Sequence, residues 1–269
     1  MVGTAFDLGV SSCAAIRVDA GQSSHTSEHV AIELPVALVY NGISHAVMLA
    51  TPLDLEDFAL GFSLTEGIIE QPRDLLDIEI QRSSKGVEVQ LTVTQTCLAM
   101  LKERRRNLLG RTGCGLCGVD SLEHAIRPLK HTLKPLSTSL NDLADIVSTA
   151  MGNLNSGQPL QHATGAVHSA AFAQLDGAIT MQREDVGRHN ALDKLIGALA
   201  KAKLDCTQGI ALVSSRASYE MVHKCASARI PVLAAVSAPT QLAVELAQSA
   251  QLTLAGFVRE QRATFYTYF

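Results

Sequence analysis

From about residue 163 to its end, the chain alternates short apolar runs with stretches of helical period, and no other feature restricts its fold so strongly. AVHSAAFAQ, Asp176-Gly177 and AITMQRE read as a β-hairpin, because Asp-Gly between two apolar runs supplies the positive-φ positions of a tight turn. ALDKLIGALAKAK has the spacing of an amphipathic helix, GIALVSS that of a buried strand, and SYEMVHKCASA that of a second helix. PVLAAVS then reads as a strand, QLAVELAQSA as a helix whose start Pro239 marks, and LTLAGFV as the last strand. Strands and helices alternating at this spacing imply parallel strands with helices on the sheet faces, and the opening hairpin makes the sheet mixed. The expected class is α/β, or α+β over the whole chain: residues 119–269 form the larger domain, a mixed sheet flanked by helices.

The upstream part is of another kind. Residues 1–29 are polar and Ser-rich without periodicity, and are expected to be a loose tail. AIELPVALVY and SHAVMLAT flank Asn41-Gly42, a strong hairpin signal. Asp54 to Ile69 has helical spacing, and two strands are expected between Ile78 and Val93 around Ser83-Ser84-Lys85-Gly86. Residues 30–110 therefore read as a small α+β domain. A glycine-rich stretch, 111–118, follows as a mobile loop, and a helix is expected over roughly 139–152.

Composition removes several classes of function. The net charge is −4 and aromatics make up 4% of the 269 residues, which supports neither bulk phosphate-backbone binding nor base-stacking platforms. No apolar run approaches the ~18–20 residues that cross a bilayer. The amino terminus, MVGTAFDLGVSSC, lacks the basic start of a secretory signal. A cytoplasmic protein is expected. In a reducing compartment the six cysteines are core, metal-binding or catalytic residues, not a disulfide framework.

Cys114 and Cys117, in TGCGLCGVD, carry the sharpest chemistry. One thiolate of a Cys-x-x-Cys pair can attack while the other resolves or stabilises the product. Lys102, Arg104, Arg105, Arg106 and Arg111 lie just upstream, and nearby cations lower a thiol's pKa and attract anions. The spacing alone leaves zinc, redox and sulfur chemistry open. Zinc would need further ligands such as Cys97, His124 or His131, and no second cysteine pair is present. A thioredoxin-like motif would open a helix after a strand rather than sit among glycines. Cys206 and Cys225 read as packing residues.

Polar turns at helix starts form a second candidate site. They are Glu184–Asn190, with Arg188 and His189, then Ser214–Ser218, with Arg216, and Ser237-Ala238-Pro239-Thr240. Beyond the carboxyl ends of parallel strands, free N–H groups, hydroxyls and guanidinium groups suit phosphate oxygens. Any single turn is better explained by helix capping, and a single histidine such as His168 or His189 as a satisfied core residue, whereas three turns at one sheet edge, two with Arg, favour a phosphate-bearing ligand. The His-x-Glu and Pro-Cys-x-x-Cys patterns of zinc base deaminases are missing from this region.

RTGCGLCG (111–118), EDVGRHNALDKLIG (184–197), SRASYEMVHK (215–224) and PVLAAVSAPTQLAVELA (231–247) resemble the formate dehydrogenase accessory sulfurtransferase family, FdhD. So do residues 41–69 and LAGFVREQRATFYTY (254–268), and the resemblance runs from about residue 30. It implies a cytidine deaminase-like fold without zinc, a homodimer, and no metal held by the protein itself. It implies a sulfurtransferase that accepts persulfide sulfur from a cysteine desulfurase on Cys114, with Cys117 as its partner. The sulfur then passes to the bis-molybdopterin guanine dinucleotide molybdenum cofactor before insertion into formate dehydrogenase. By position, Phe257, Val258, Arg259, Glu260, Gln261 and Arg262 match the cofactor-binding segment, joining Arg188, Arg216, Ser237, His168 and His189. The chain departs from the family at Ser214-Ser215 and at Ala166, where Gly is common. The alternative is a cofactor chaperone that moves no sulfur.

Overall fold

In the computed structural model, which describes residues 9–109, 129 and 132–269, the strands form three sheets. The first is a two-stranded ribbon, β1 (Val10–Asp19) antiparallel to β2 (Gln22–Ala31). It corrects the expected loose tail. Nearly every side chain on both faces is in water, so nothing selects the apolar alternation that marks a half-buried strand. The turn is made by Ala20 (φ 47°) and Gly21 (φ 83°), a pair that signals a hairpin less plainly than Asn-Gly.

The second sheet has the order β4-β3-β6-β5, built from β3 (Leu34–Tyr40), β4 (Ile43–Ala50), β5 (Leu75–Ser83) and β6 (Gly86–Val93). β3 and β6 run parallel and the outer pairs antiparallel. Val36, Leu38, Tyr40, Val87, Val89, Leu91 and Val93 are buried at every second position, which turns one face toward helix α1 (Leu55–Thr65). Helix α2 (Gln95–Leu109) adds Cys97, Leu98 and Leu101 to the same cluster.

The third sheet has the order β12-β11-β10-β9-β7-β8. Its strands are β7 (His168–Ala173), β8 (Ile179–Asp185), β9 (Ile210–Val213), β10 (Val232–Ala235), β11 (Thr253–Arg259) and β12 (Arg262–Thr267). β9, β10 and β11 are parallel, while β7, β8 and β12 pair antiparallel. The mixed sheet is thus as expected. The edge strand β12 goes beyond the expected elements, because its residues alternate too weakly in burial to mark a strand. Strands β9 and β10 are buried at every position, so they appear as unbroken apolar runs. Helices α5 (Arg188–Lys201), α6 (Tyr219–Ser227) and α7 (Gln241–Ala250) cover one face. Helix α3 (Leu140–Leu154) covers the other, and the short α4 (Pro159–Thr164) follows it. Ser139 accepts from Asp142 N at 3.2 Å and caps α3.

The second and third sheets are joined where α1 crosses α5. A Cβ on Gly61 would fall on the Asp193 carbonyl, and one on Gly197 on that of Asp57, so only glycines permit this approach. Among the described residues, no helix is long and apolar enough to cross a membrane.

Candidate functional site at the rim of the large sheet

Cys114 and Cys117 lie outside the described residues, as do Arg111, His124 and His131. The chain leaves the small sheet's core through α2 and re-enters the large domain at Leu129 and Leu133. Both pack against the core on the α5–α7 face. Among the described residues, no group of three His, Cys, Asp or Glu side chains is placed to hold a metal ion. Burial pushes the Cys206 thiol up to about 11 and that of Cys225 up as well, so neither supplies a thiolate.

The polar turns meet along one edge of the large sheet. β9 and β10 end there, β8 ends there, and β7 begins there with His168 opposite Asp185. Backbone bonds stitch the turns together. Ser214 N donates to Ser169 O (3.0 Å), Ser237 N to Ser215 O (3.3 Å), Thr240 N to Ala217 O (3.0 Å) and Phe257 N to Ser237 O (3.3 Å). This edge is the crevice side, where open α/β sheets bind ligands.

Capping accounts for only one of the turns by the usual means. Thr240 caps α7, accepting from Ala243 N at 3.3 Å. Gly187 has no side chain with which to cap α5. Ser218 makes no cap bond to α6 and donates instead to the Glu220 carboxylate at 2.8 Å. Burial alone would raise Glu220, but that hydroxyl, a backbone N–H and the neighbouring His189 and Arg188 hold its carboxyl below the ordinary range.

At the start of α5 two nitrogens are left over. Arg188 Nε and His189 Nε2 are buried from solvent and have no hydrogen-bond partner. Burial, reinforced by Arg188, lowers His189 to about 4, so its ring is neutral at pH 7. Its 3.7 Å approach to Glu220 is therefore no ion pair at that pH. His168 is lowered too, by burial first and Arg188 second, against the pull of Asp185. Buried unpaired nitrogens cost free energy, and an oxyanion bound here would satisfy them.

The segment 257–262 lies at the far side of the same rim. β8 and β11 are four strand spacings apart, so about 19 Å separates His189's turn from Phe257's. Arg216 and Ser237, both exposed, lie between. Phe257 (φ 53°) and Glu260 (φ 44°) adopt the left-handed region around a register shift between Gly256 and Arg259. Such strain in residues other than glycine concentrates at ligand sites. Arg259 stands directly opposite Arg262, with Glu260 and Gln261 at the turn, all exposed. Like charges across a pair repel, and an anion between them relieves the repulsion. Val258 is the exception: its side chain is fully buried in the core on the α3 face and turned away from any ligand.

Glu184 and Asp185 of the polar turn take structural roles, and Thr51, Thr65, Asp193, Lys194 and Lys224 are residues that no sequence signal singles out. Glu184 faces inward and accepts from Leu160 N (3.0 Å) and Gln161 N (2.9 Å) at the start of α4. Asp185 and Lys194 form a fully buried ion pair at 2.7 Å, and Asp193 and Lys224 a second at 2.8 Å. Thr51 joins the first pair and Thr65 the second, both from the amino-terminal half. Spacing could not find the two threonine bonds, because each spans more than a hundred residues.

Taken together, these features define an α+β protein whose large sheet carries Arg188, Arg216, Arg259 and Arg262 on polar turns along one edge, with a Cys-x-x-Cys sequence between its two halves. The chain belongs to the FdhD/NarQ family, which it matches over residues 31–269. It is 52% identical over 246 residues to "Sulfur carrier protein FdhD" of Bordetella petrii, covering 90% of this chain and 86% of that one. It is 53% identical over 248 residues to the protein of the same name from Cupriavidus necator, covering 92% and 85%. In structure it is similar to a putative formate dehydrogenase accessory protein from Desulfotalea psychrophila, with TM-score 0.72, 21% identity and 96% of each chain covered.

Proposed function

We propose that this chain is a sulfur carrier that takes a persulfide sulfur on Cys114 and delivers it to an extended anionic cofactor held along the rim. The Cys114 thiolate attacks the outer sulfur of a cysteine desulfurase persulfide. A new S–S bond forms at Cys114, the donor's S–S bond breaks, and the donor cysteine leaves as a thiolate. Cys117 stabilises the loaded state or resolves it. The acceptor is the bis-molybdopterin guanine dinucleotide cofactor, a substrate here, which goes on to formate dehydrogenase. The chain works as a cytoplasmic homodimer and acts as a sulfurtransferase.

One observation supports the anionic acceptor most directly: the unpaired Arg188 Nε–H and His189 Nε2 at one end of the rim. Arg259 and Arg262 at the other end give the span of a dinucleotide rather than a single phosphate. The names of the relatives, sulfur carrier proteins about half identical over most of this chain, support the cargo.

The test is mass spectrometry of the full chain after incubation with a cysteine desulfurase and cysteine. One added sulfur is expected on the tryptic peptide that starts at Thr112 and carries both cysteines. It should be lost in Cys114→Ala. No added sulfur on the wild-type chain beside an active desulfurase would sink the reading and leave a chaperone that binds cofactor without moving sulfur.

A further inference from the structure

The six residues from Asp185 to Asn190 are pinned at both ends and unpaired in the middle. Asp185 Oδ1 accepts from Gly187 N at 2.8 Å and Asn190 Nδ2 at 3.0 Å. Its Oδ2 accepts from Thr51 N at 3.0 Å, Thr51 Oγ1 at 2.9 Å and Lys194 Nζ at 2.7 Å. The carboxylate is wholly buried and fully used. Asn190 Nδ2 also donates to Leu49 O at 2.8 Å, and Lys194 Nζ to Thr51 Oγ1 at 2.6 Å. A Cβ on Gly187 would crowd the Asn190 amide, so the turn closes tightly on this lock. Between the pinned ends stand Arg188 and His189, whose orphaned nitrogens face no protein acceptor.

We propose that Asp185 and Asn190 are positioning residues that hold Arg188 and His189 in ligand-ready geometry, and that they draw their rigidity from Leu49 in β4 of the small sheet and from Thr51 just after it. The inference rests on reading the rim as an anion site. The physical reason is preorganisation: a guanidinium and an imidazole that must meet an anion together lose less freedom on binding if the backbone between them is already fixed. The fixing groups come from the other half of the chain. The small sheet thereby sets one end of the rim. Neither Asp185 nor Asn190 needs to touch ligand.

The test compares the full wild-type chain with Asn190→Ala, Thr51→Val and Thr51→Ser. The primary readout is the protonation midpoint of the His189 imidazole by NMR. That ring is held near 4 by burial and by Arg188, with Lys224 and Arg216 acting in the same direction and Glu220 opposing. Releasing the turn lets water reach the shielded Nε2 of a ring that is already partly exposed. In Asn190→Ala the midpoint is expected to rise by about one unit or more toward the ordinary 6.5. Thr51→Val should move it in the same direction, and Thr51→Ser, which keeps the hydroxyl, should restore the wild-type value. The second readout is affinity for inorganic pyrophosphate by calorimetry, expected to weaken about tenfold or more in Asn190→Ala. Persulfide loading of Cys114 should be unchanged. A folded Asn190→Ala chain with the wild-type His189 midpoint overturns the proposal. Should Asn190→Ala fail to fold, the Thr51 pair decides, and equal midpoints in Thr51→Val and Thr51→Ser overturn it equally. A wild-type chain that ignores pyrophosphate refutes the anion reading of the rim instead, while the His189 midpoints still decide the positioning role.

Discussion

Lys224 carries its charge where almost no solvent reaches it. Its ammonium donates to Asp193 Oδ1 (2.9 Å), Asp193 Oδ2 (2.8 Å) and Thr65 Oγ1 (3.1 Å), and lies 5.7 Å from the centre of the Phe62 ring. Burial pushes the Asp193 carboxyl up against the pull of Lys224, and pushes the Lys194 ammonium of the sister pair down. Such pairs contribute little net stability, but breaking one leaves a lone charge inside. Lys224→Met should therefore cost about 3–5 kcal/mol in urea unfolding, and adding Asp193→Leu should recover most of that. A single variant within about 1 kcal/mol of wild type would mean that Asp193 finds water or a proton at little cost. From the sequence, Lys224 sits in a helix-period stretch and looks like any solvated lysine. Periodicity places a side chain on a face, but whether water reaches that face depends on α1, more than a hundred residues away.

At the scale of elements, the crossing of α1 on α5 decides how the halves meet. Gly61 and Gly197 each lie against the other helix's backbone. Gly61→Ala must force the helices apart, and overpacking of this kind costs about 1–3 kcal/mol or more. Gly152, near the end of α3, has nothing within 4 Å of an added Cβ. Gly152→Ala should stabilise by about 0.5–1 kcal/mol, since alanine loses less backbone freedom in a helix. Thermal melts of the two variants should move in opposite directions, and a shift of the same sign in both would refute the close crossing. Most elements themselves were legible. Asn41-Gly42 and Asp176-Gly177 both turn hairpins, with φ 47° at Asn41 and 79° at Gly177, and helix α1 lies within the stretch its spacing marked out. These signals are local, carried by turn chemistry and by one buried face. Strand β12 was not legible, because its arginine, tyrosine and threonine residues at a sheet edge alternate too weakly in burial.

For the whole molecule, the ribbon β1–β2 is the part least tied to the rest. Family similarity begins at residue 31, just where β2 ends, and Ile16 and Val18 stay exposed at 64% and 68%. A lone two-stranded ribbon is marginal in water, and little core depends on this one. Removing residues 1–30 should shift the unfolding midpoint by no more than ~5 °C. A fall of ~10 °C or more would make the ribbon an integral layer. The sequence by itself determined the mixed sheet, the order of its strands and helices along the chain, the polar turns and the family. Each of these is written in short-range periodicity, turn residues or contiguous motifs. Only the tertiary structure decided that Val258 points into the core while Phe257 does not, and that two buried ion pairs are closed by Thr51 and Thr65. The ion pairs depend on hydrogen bonds between residues more than a hundred positions apart, and the orientation of Val258 on which face of a strand meets a helix. Neither is encoded in spacing along the chain.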